Sequence, residues 1–524
     1  MTHFPLSRSR LPIIIWAPTL VVALLMVLPL VYLVIRAAQA DWATVQQLVW
    51  RARNLELMFN TLKLMFSVAG LGTLIALPLA WLVSKTDLPG RHWATILSIM
   101  PLAVPGYVMA YALLSVGGFF GVSAQWFGIQ LPRVQGFWGA TLALTLYTFP
   151  YLFLNARAAL NGLDSDQEDI AASLGHSRWS ILLRITLPQL IPSLLAGWLV
   201  VLLYTLGDFG AIALMRYEVF SYAIYTQYSG AFDRIYAAWL SLMLLGLALF
   251  FVFIESKVVR GRRFARTGSG VGRPPRRLKL GWWALPAWLF VLTVAAFSLG
   301  LPGLILSYWL WLSPPDASFF IDVPWTFLRS AGLALPTALI AALLAVPMAY
   351  YSTRQPSAFS AFAERTIYVG YAIPPLTLGL ALVFFALHTA PALYQTPLLL
   401  MLGWLLATLA LALGPVRSAL YQTRANLEEA AAGLGHNAFT IARRILLPRI
   451  RRGLLAGAIL VFVFLMKELP ITFLLAPIGY DTLAVTVFTR TTEAMYAEAA
   501  PFAAAIVIFS SLTVILLLRS EERR

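Results

Sequence analysis

About a dozen stretches of roughly 20 apolar residues follow one another along this chain, and a run of that length is what a helix needs to cross a bilayer. They lie near 12–36, 57–83, 93–119, 137–155, 190–215 and 236–255, then near 281–312, 327–352, 366–389, 398–415, 454–477 and 500–518. In hydrocarbon every backbone N–H and C=O must be satisfied internally, so runs of this kind fold as helices. Composition closes off a soluble alternative. Of 524 residues, 60% are hydrophobic and only 11% are charged, too few to clothe a water-facing domain of this size. The expectation is an all-α polytopic membrane protein with about 12 transmembrane helices.

The first run follows Arg8 and Arg10 as a secretory signal would, but it is too long for a signal core. It is expected to stay as a helix. The absence of cysteine excludes disulfides and thiolate metal sites. If the spans alternate from an internal N-terminus, 28 of the 38 Lys and Arg fall in segments on the inside. That bias places both termini in the cytoplasm. It also accounts for the net charge of +16 as anchoring against anionic lipid rather than nucleic-acid binding.

The densest basic segment, "SKVVRGRRFARTGSGVGRPPRRLKL" at 256–280, has no apolar periodicity and reads as a cytoplasmic linker. The chain on either side, 1–255 and 281–524, repeats itself. "IALPLAWLVS" (75–84) resembles "LAVPMAYYST" (344–353), with Pro78 over Pro347, and Pro105 lies over Pro374 at the same offset of 269. Beyond an insertion expected in the 120–136 loop the offset becomes 260, aligning Gly175 with Gly435, Pro188 with Pro448 and Tyr236 with Tyr496. Six spans in each half give both repeats one orientation, hence two parallel six-helix repeats, which in several transporters enclose a pathway.

Each repeat carries one polar, helix-prone segment between its fourth and fifth spans: "EDIAASLGHSRWSILLRITLP" (168–188) and "EEAAAGLGHNAFTIARRILLP" (428–448). Capping chemistry opens each, with Ser165 and Asp166, Glu168 and Asp169 in one, and Asn426 with Glu428 and Glu429 in the other. A short helix should stop at Gly175 or Gly435, where glycine accepts a left-handed conformation. Ser177 or Asn437 should cap a second helix, broken by Pro188 or Pro448. Two equivalent segments on the cytoplasmic side predict two equivalent docking sites for a partner.

The pattern E-A-A-x-x-x-G, nine residues, then I-x-L-P resembles the signature loop of permease subunits in binding-protein-dependent ABC importers. The second copy matches it with Glu429, Ala430, Ala431, Gly435, Ile445, Leu447 and Pro448. The first has Asp169 and Ile170 for Glu and Ala, and keeps Ala171, Gly175, Ile185, Leu187 and Pro188. The resemblance covers nearly the whole chain and implies a fused pair of permease domains of the type I ABC importer fold. It further implies coupling loops at 164–188 and 426–448, each docking one of two copies of a cytoplasmic ABC ATPase. An extracytoplasmic solute-binding protein and a bacterial inner (plasma) membrane location are implied with it. "LGDFGAIALMRYEVFSYAIYTQYSGAF" (206–232) and "MKELPITFLLAPIGYDTLAVTVF" (466–488) are similar to the ferric-iron branch. Thiamine, sulfate and polyamine importers are the alternative readings, and an ion-gradient-driven secondary transporter is the alternative from another class.

None of the five lysines follows a glycine, so the chain has no P-loop Gly-Lys pair. The chain is expected to bind no cofactor and to act as a non-enzymatic subunit, with ATP and Mg on the partner ATPase. Away from the span ends the charges are Lys63, Asp208, Lys467 and Glu468, and buried charge is costly enough to be a functional hypothesis. Asp208 and Glu468 are equivalent in the repeat. Gly207, Gly210 and Pro470 beside them predict irregular backbone lining a cavity. The candidates for a substrate pathway are Asp208, Glu468, Tyr107 and Tyr204, since carboxylate and phenolate oxygens suit a hard cation. A structural ion pair of Asp208 with Lys63 is the competing reading, and no metal site is firmly assigned.

Overall fold

The computed structural model describes residues 13–119, 121–163, 165–231, 233–260, 277–312, 319–354 and 357–522. Among these, nine helices are long and apolar enough to cross a membrane, and counting each of two bent pairs as a span gives eleven. The remaining expected span corresponds to the helix Leu447–Met466, whose first turns carry Arg449, Arg451 and Arg452. Large apolar side chains such as Leu24, Phe59, Leu74, Leu289 and Leu512 stand exposed along these helices, as on a surface whose solvent is lipid. The expected linker falls mostly on 261–276, outside the described residues. Its first residues continue the helix Arg234–Arg260.

Two of the spans expected to be simple are broken. The first set bends by 91° between Arg91–Ala103 and Gly106–Val116, and the second by 104° before Pro375–Thr389. The breaks fall at the aligned prolines. Pro105 (ψ 152°) and Pro374 (ψ 130°) are extended where a helix needs ψ near −40°. Proline has no N–H for the preceding turn and pushes the residue before it out of the helical region.

The described residues pack as two units. One comprises 46–232, 243–320 and 486–524. At its centre the helices Ala52–Lys85, Gly136–Gly162 and Leu187–Gly207 lie against one another. The helices Leu301–Leu312 and Tyr496–Glu522 from the second half of the sequence complete it. Tyr111 Oη donates to the carbonyl of Tyr496 (2.9 Å), and the Tyr496 ring stacks on Trp309 at 5.8 Å. The other unit comprises 1–45, 233–242 and 321–485. It is built on Pro397–Gln422 and Leu447–Met466 and receives Ile13–Ala37 from the first half. Tyr32 packs edge-on against Phe385 at 5.2 Å, and Trp239 donates to the carbonyl of Ala37 (3.1 Å). The sequence repeats and the packed units therefore do not coincide, because each unit holds a first span from the opposite half.

Candidate functional site

The two polar segments have the same local geometry. In the first, a helix Ser165–Ser173 is followed by Arg178–Ile181, a π turn Leu182–Thr186 and the long helix Leu187–Gly207. In the second the sequence is Asn426–Gly433, Ala438–Ile441, a π turn Ala442–Leu446 and Leu447–Met466. Gly175 and Gly435 sit at φ +85° and +86°. His176 N–H donates to the carbonyl of Ala171 and Gly175 N–H to that of Ala172, each at 3.1 Å; His436 and Gly435 do the same to Ala431 and Ala432. This crossed pair is the Schellman closure, and it demands a left-handed residue at the glycine. It also gives Ala171 and Ala431 a structural part: each is buried and lends its carbonyl to the turn.

Ser177 Oγ and Asn437 Oδ1 accept from the amides of Ser180 (3.3 Å) and Thr440 (2.8 Å), as N-caps of the second helices. Two expectations need correction. Asn426 makes no side-chain cap, because its helix begins from Ala425 in helical conformation. Pro188 and Pro448 do not break their helices. The π turn ahead of each proline lets Leu187 N–H reach Leu182 O, and Leu447 N–H reach Ala442 O, five residues back. This wider turn takes up the clash that a proline ring makes with the preceding turn of an α-helix. The helix runs on unbroken into the span.

Glu429, Ala430, Gly435 and Pro448 are exposed, as are Gly175 and Pro188, while Ile185 and Ile445 are half-buried. Asp169 lies in the first helix. Leu174 and Leu434, at equivalent turns, are 74% and 79% exposed.

Sequence reading missed what lies beneath these loops. Glu168 and Glu428 do not serve only the helix dipole. Lys85 Nζ lies 2.9 Å from Glu168 Oε2, and Thr186 Oγ1 donates to Glu168 Oε1 (2.8 Å). Arg354 sets Nε and Nη2 at 3.1 and 3.0 Å from Glu428 Oε1. Lys85 and Arg354 stand at the same 269-residue offset. The match of 75–84 with 344–353 stops one residue short of them.

The candidate pathway residues lie at a second kind of break. The helix Leu187–Gly207 ends at Asp208 before the short helix Gly210–Leu214, and Leu447–Met466 ends at Lys467 before Pro470–Leu475. Both carboxylates cap the short helix that follows. Asp208 Oδ1 accepts from Ala211 N (3.0 Å) and Ile212 N (3.2 Å). Glu468 Oε1 accepts from Ile471 N (2.7 Å), and Oε2 from Thr472 N (3.0 Å), Thr472 Oγ1 (2.6 Å) and Trp404 Nε1 (3.1 Å). The pair thus differs in what is left over. Glu468 uses both oxygens; Asp208 Oδ2 takes no part in its cap and faces the backbone of Gly106, 3.2 Å from where a Cβ would stand. Tyr204 packs at 5.0 Å from the ring of Tyr147, and Tyr107 is buried in the helix Gly106–Val116. Lys63 does not pair with Asp208: its Nζ lies over the Phe137 ring at 4.1 Å. Among the described residues no group of three or more His, Cys, Asp or Glu could hold a metal ion.

The model of the binding-protein-dependent transport system inner membrane component family matches this chain twice, over residues 70–266 and 334–520. The chain is 31% identical over 506 residues to the Fe(3+)-transport system permease protein FbpB 2 of Haemophilus influenzae, covering 95% of this chain and 96% of that one. It is 28% identical over 245 residues to the sulfate transport system permease protein CysT of Escherichia coli, covering 45% and 87%. It is 34% identical over 166 residues to the molybdenum transport system permease protein ModB of Escherichia coli, covering 31% and 69%. With a twice-matched family model, apolar helices throughout and a fused relative matched nearly end to end, the chain belongs to the binding-protein-dependent transport system inner membrane components, the permeases of ABC importers.

Proposed function

We propose that this chain is the transmembrane permease of an ATP-driven importer that passes ferric iron from an extracytoplasmic binding protein to the cytoplasm. The observation that carries the coupling part is the pair of Schellman-closed helix–turn–helix loops at equivalent places in the two repeats. Each presents an exposed face to one copy of a cytoplasmic ATPase, so two copies bind and both termini lie inside. Glu429, Ala430, Gly435 and Pro448, with Asp169, Gly175 and Pro188, form or shape those faces. Ala171, Ala431, Ile185 and Ile445 fix the turn and the helix behind it.

Iron is favoured over sulfate or molybdate by charge as well as by the length of the match to the Fe(3+) permease. The carboxylate oxygen Asp208 Oδ2, not used in its helix cap, would repel an oxyanion and attract a hard cation. Asp208, with Tyr204 and Tyr107, is the pathway group of this reading, and Glu468 holds the equivalent break together.

The test is reconstitution in proteoliposomes with the ATPase and the loaded binding protein, scoring ATP-dependent uptake of radiolabelled iron against labelled sulfate and molybdate. ATP-dependent uptake of iron alone is expected. Uptake of an oxyanion in its place would sink the substrate assignment. Uptake driven by an ion gradient without the ATPase would sink the importer reading.

A further inference from the structure

Each docking loop is tied to the body of its own unit by an ion pair, and the pair stands at the same place in both repeats. The long helix Ala52–Lys85 ends in Lys85, 5% exposed, whose ammonium meets Glu168. The helix Phe319–Arg354 ends in Arg354, whose guanidinium meets the 8%-exposed Glu428. Glu168 and Glu428 lie in the first turns of the two docking helices. Each pair joins one buried charge to a half-buried partner, and it resists separation because the buried charge, Lys85 or Glu428, is strongly disfavoured when left alone.

The two ties are braced differently. Arg354 Nη2 also donates to the carbonyls of Thr423 (2.7 Å) and Leu420 (3.3 Å), at the end of Pro397–Gln422. Lys85 has no fork, and its backbone is held instead by the segment leading into the second half. Leu278 N–H donates to Lys85 O (2.8 Å), and Asp87 N–H donates to Leu278 O (3.0 Å). Leu280 N–H donates to Asp87 Oδ1 (2.8 Å), and Trp288 Nε1 to Pro89 O (2.9 Å). Both braces keep the helix end from yielding when its docking loop is pushed.

We propose that Lys85 and Arg354 are positioning residues of the transport cycle: each transmits movement of its docked ATPase from a coupling helix to the end of a long membrane helix. The proposal rests on the reading of these loops as ATPase docks. It adds the joint behind the dock. A flexible attachment would let the loop follow the ATPase while the spans stayed still, and hydrolysis would then run without transport.

The test uses the full chain with its ATPase and iron-loaded binding protein in proteoliposomes. A single cysteine replacing the exposed Leu174 reports docking by cross-linking to the ATPase, since the chain has no cysteine of its own. Lys85→Met is expected to keep the cross-link and basal hydrolysis, while iron uptake per ATP hydrolysed falls roughly tenfold. Lys85→Arg should retain coupling, and exchanging the charges (Lys85→Glu with Glu168→Lys) should recover it. Glu168→Gln keeps an acceptor for Thr186; it carries the same expectation if Lys85→Met fails to fold. Unchanged uptake per ATP with the cross-link intact overturns the proposal. Loss of the cross-link in Lys85→Met also overturns it, because the pair would then build the docking surface itself. A missing cross-link in the otherwise unaltered chain would overturn the docking reading, and the joint with it.

Discussion

At the scale of single residues, Asp208 and Glu468 separate a structural carboxylate from one with an oxygen to spare. Glu468 receives four donors over its two oxygens. In Glu468→Gln an amide group must face one of those donors, and each orphaned donor costs about 1–3 kcal/mol. The folded yield of Glu468→Gln is therefore expected to fall in detergent size-exclusion profiles. Asp208→Asn is different, because asparagine caps a helix as well as aspartate does. Its yield should be unchanged while iron uptake drops; normal uptake by Asp208→Asn would remove it from the pathway. Lys63→Met added to Asp208→Asn should restore nothing, since Lys63 sits on Phe137. The equivalence of the two acids is legible in the sequence through the 260-residue offset. Their different occupancy is not, because it depends on Trp404 and Thr472 arriving from other turns and helices.

At the scale of elements, the glycine turn and the π turn define the docking loops. A side chain at Gly435 would meet nothing within 4 Å, so the whole cost of substitution is its φ of +86°. That cost is about 1–2 kcal/mol for an ordinary residue and less for asparagine. Gly435→Val should therefore lose co-purification with the ATPase more than Gly435→Asn does, with the spans still inserted. Equal binding by both variants would detach the turn from docking. The linker end offers a second test. Leu278→Pro removes the N–H that holds Lys85 O, and it should lower uptake per ATP. Replacing Leu280 by proline should do so less, because its N–H reaches only the Asp87 side chain. The turn was readable because glycine at C′ is a local backbone requirement. The π turns were not, since a proline after "LLRIT" or "ARRIL" fits a helix break equally well on local grounds.

For the whole molecule, the packed units cross the boundary between the repeats. The first span, Ile13–Ala37, lies with the helices of the second half, and Met26 Sδ occupies the space that a side chain at Gly370 would need. Each half alone would leave its unit without the outer helices that the other half supplies and expose the surface they cover. Expressed as separate polypeptides cut within 261–276, the two halves are expected to co-purify and to transport together. Either half expressed alone should give little folded protein. Independent folding of the half ending before the cut would contradict this exchange of helices.

Apolar runs, basic asymmetry, an internal repeat and two polar loops are all properties of the chain read locally, so the sequence by itself determined class, repeat number, loop chemistry and family. Apolar runs and loop chemistry rest on neighbours within a span or a turn: hydropathy over about 20 residues, or a glycine at a helix end. The repeat and the basic bias need only the order of residues along the chain. The tertiary structure decided what depends on residues far apart in the chain. It joined Lys85 to Glu168 and Arg354 to Glu428, spent both oxygens of Glu468 while leaving one of Asp208, and placed a first span in the opposite unit. Those outcomes turn on which buried polar group finds a partner and which apolar face meets another, and local pattern carries no record of either.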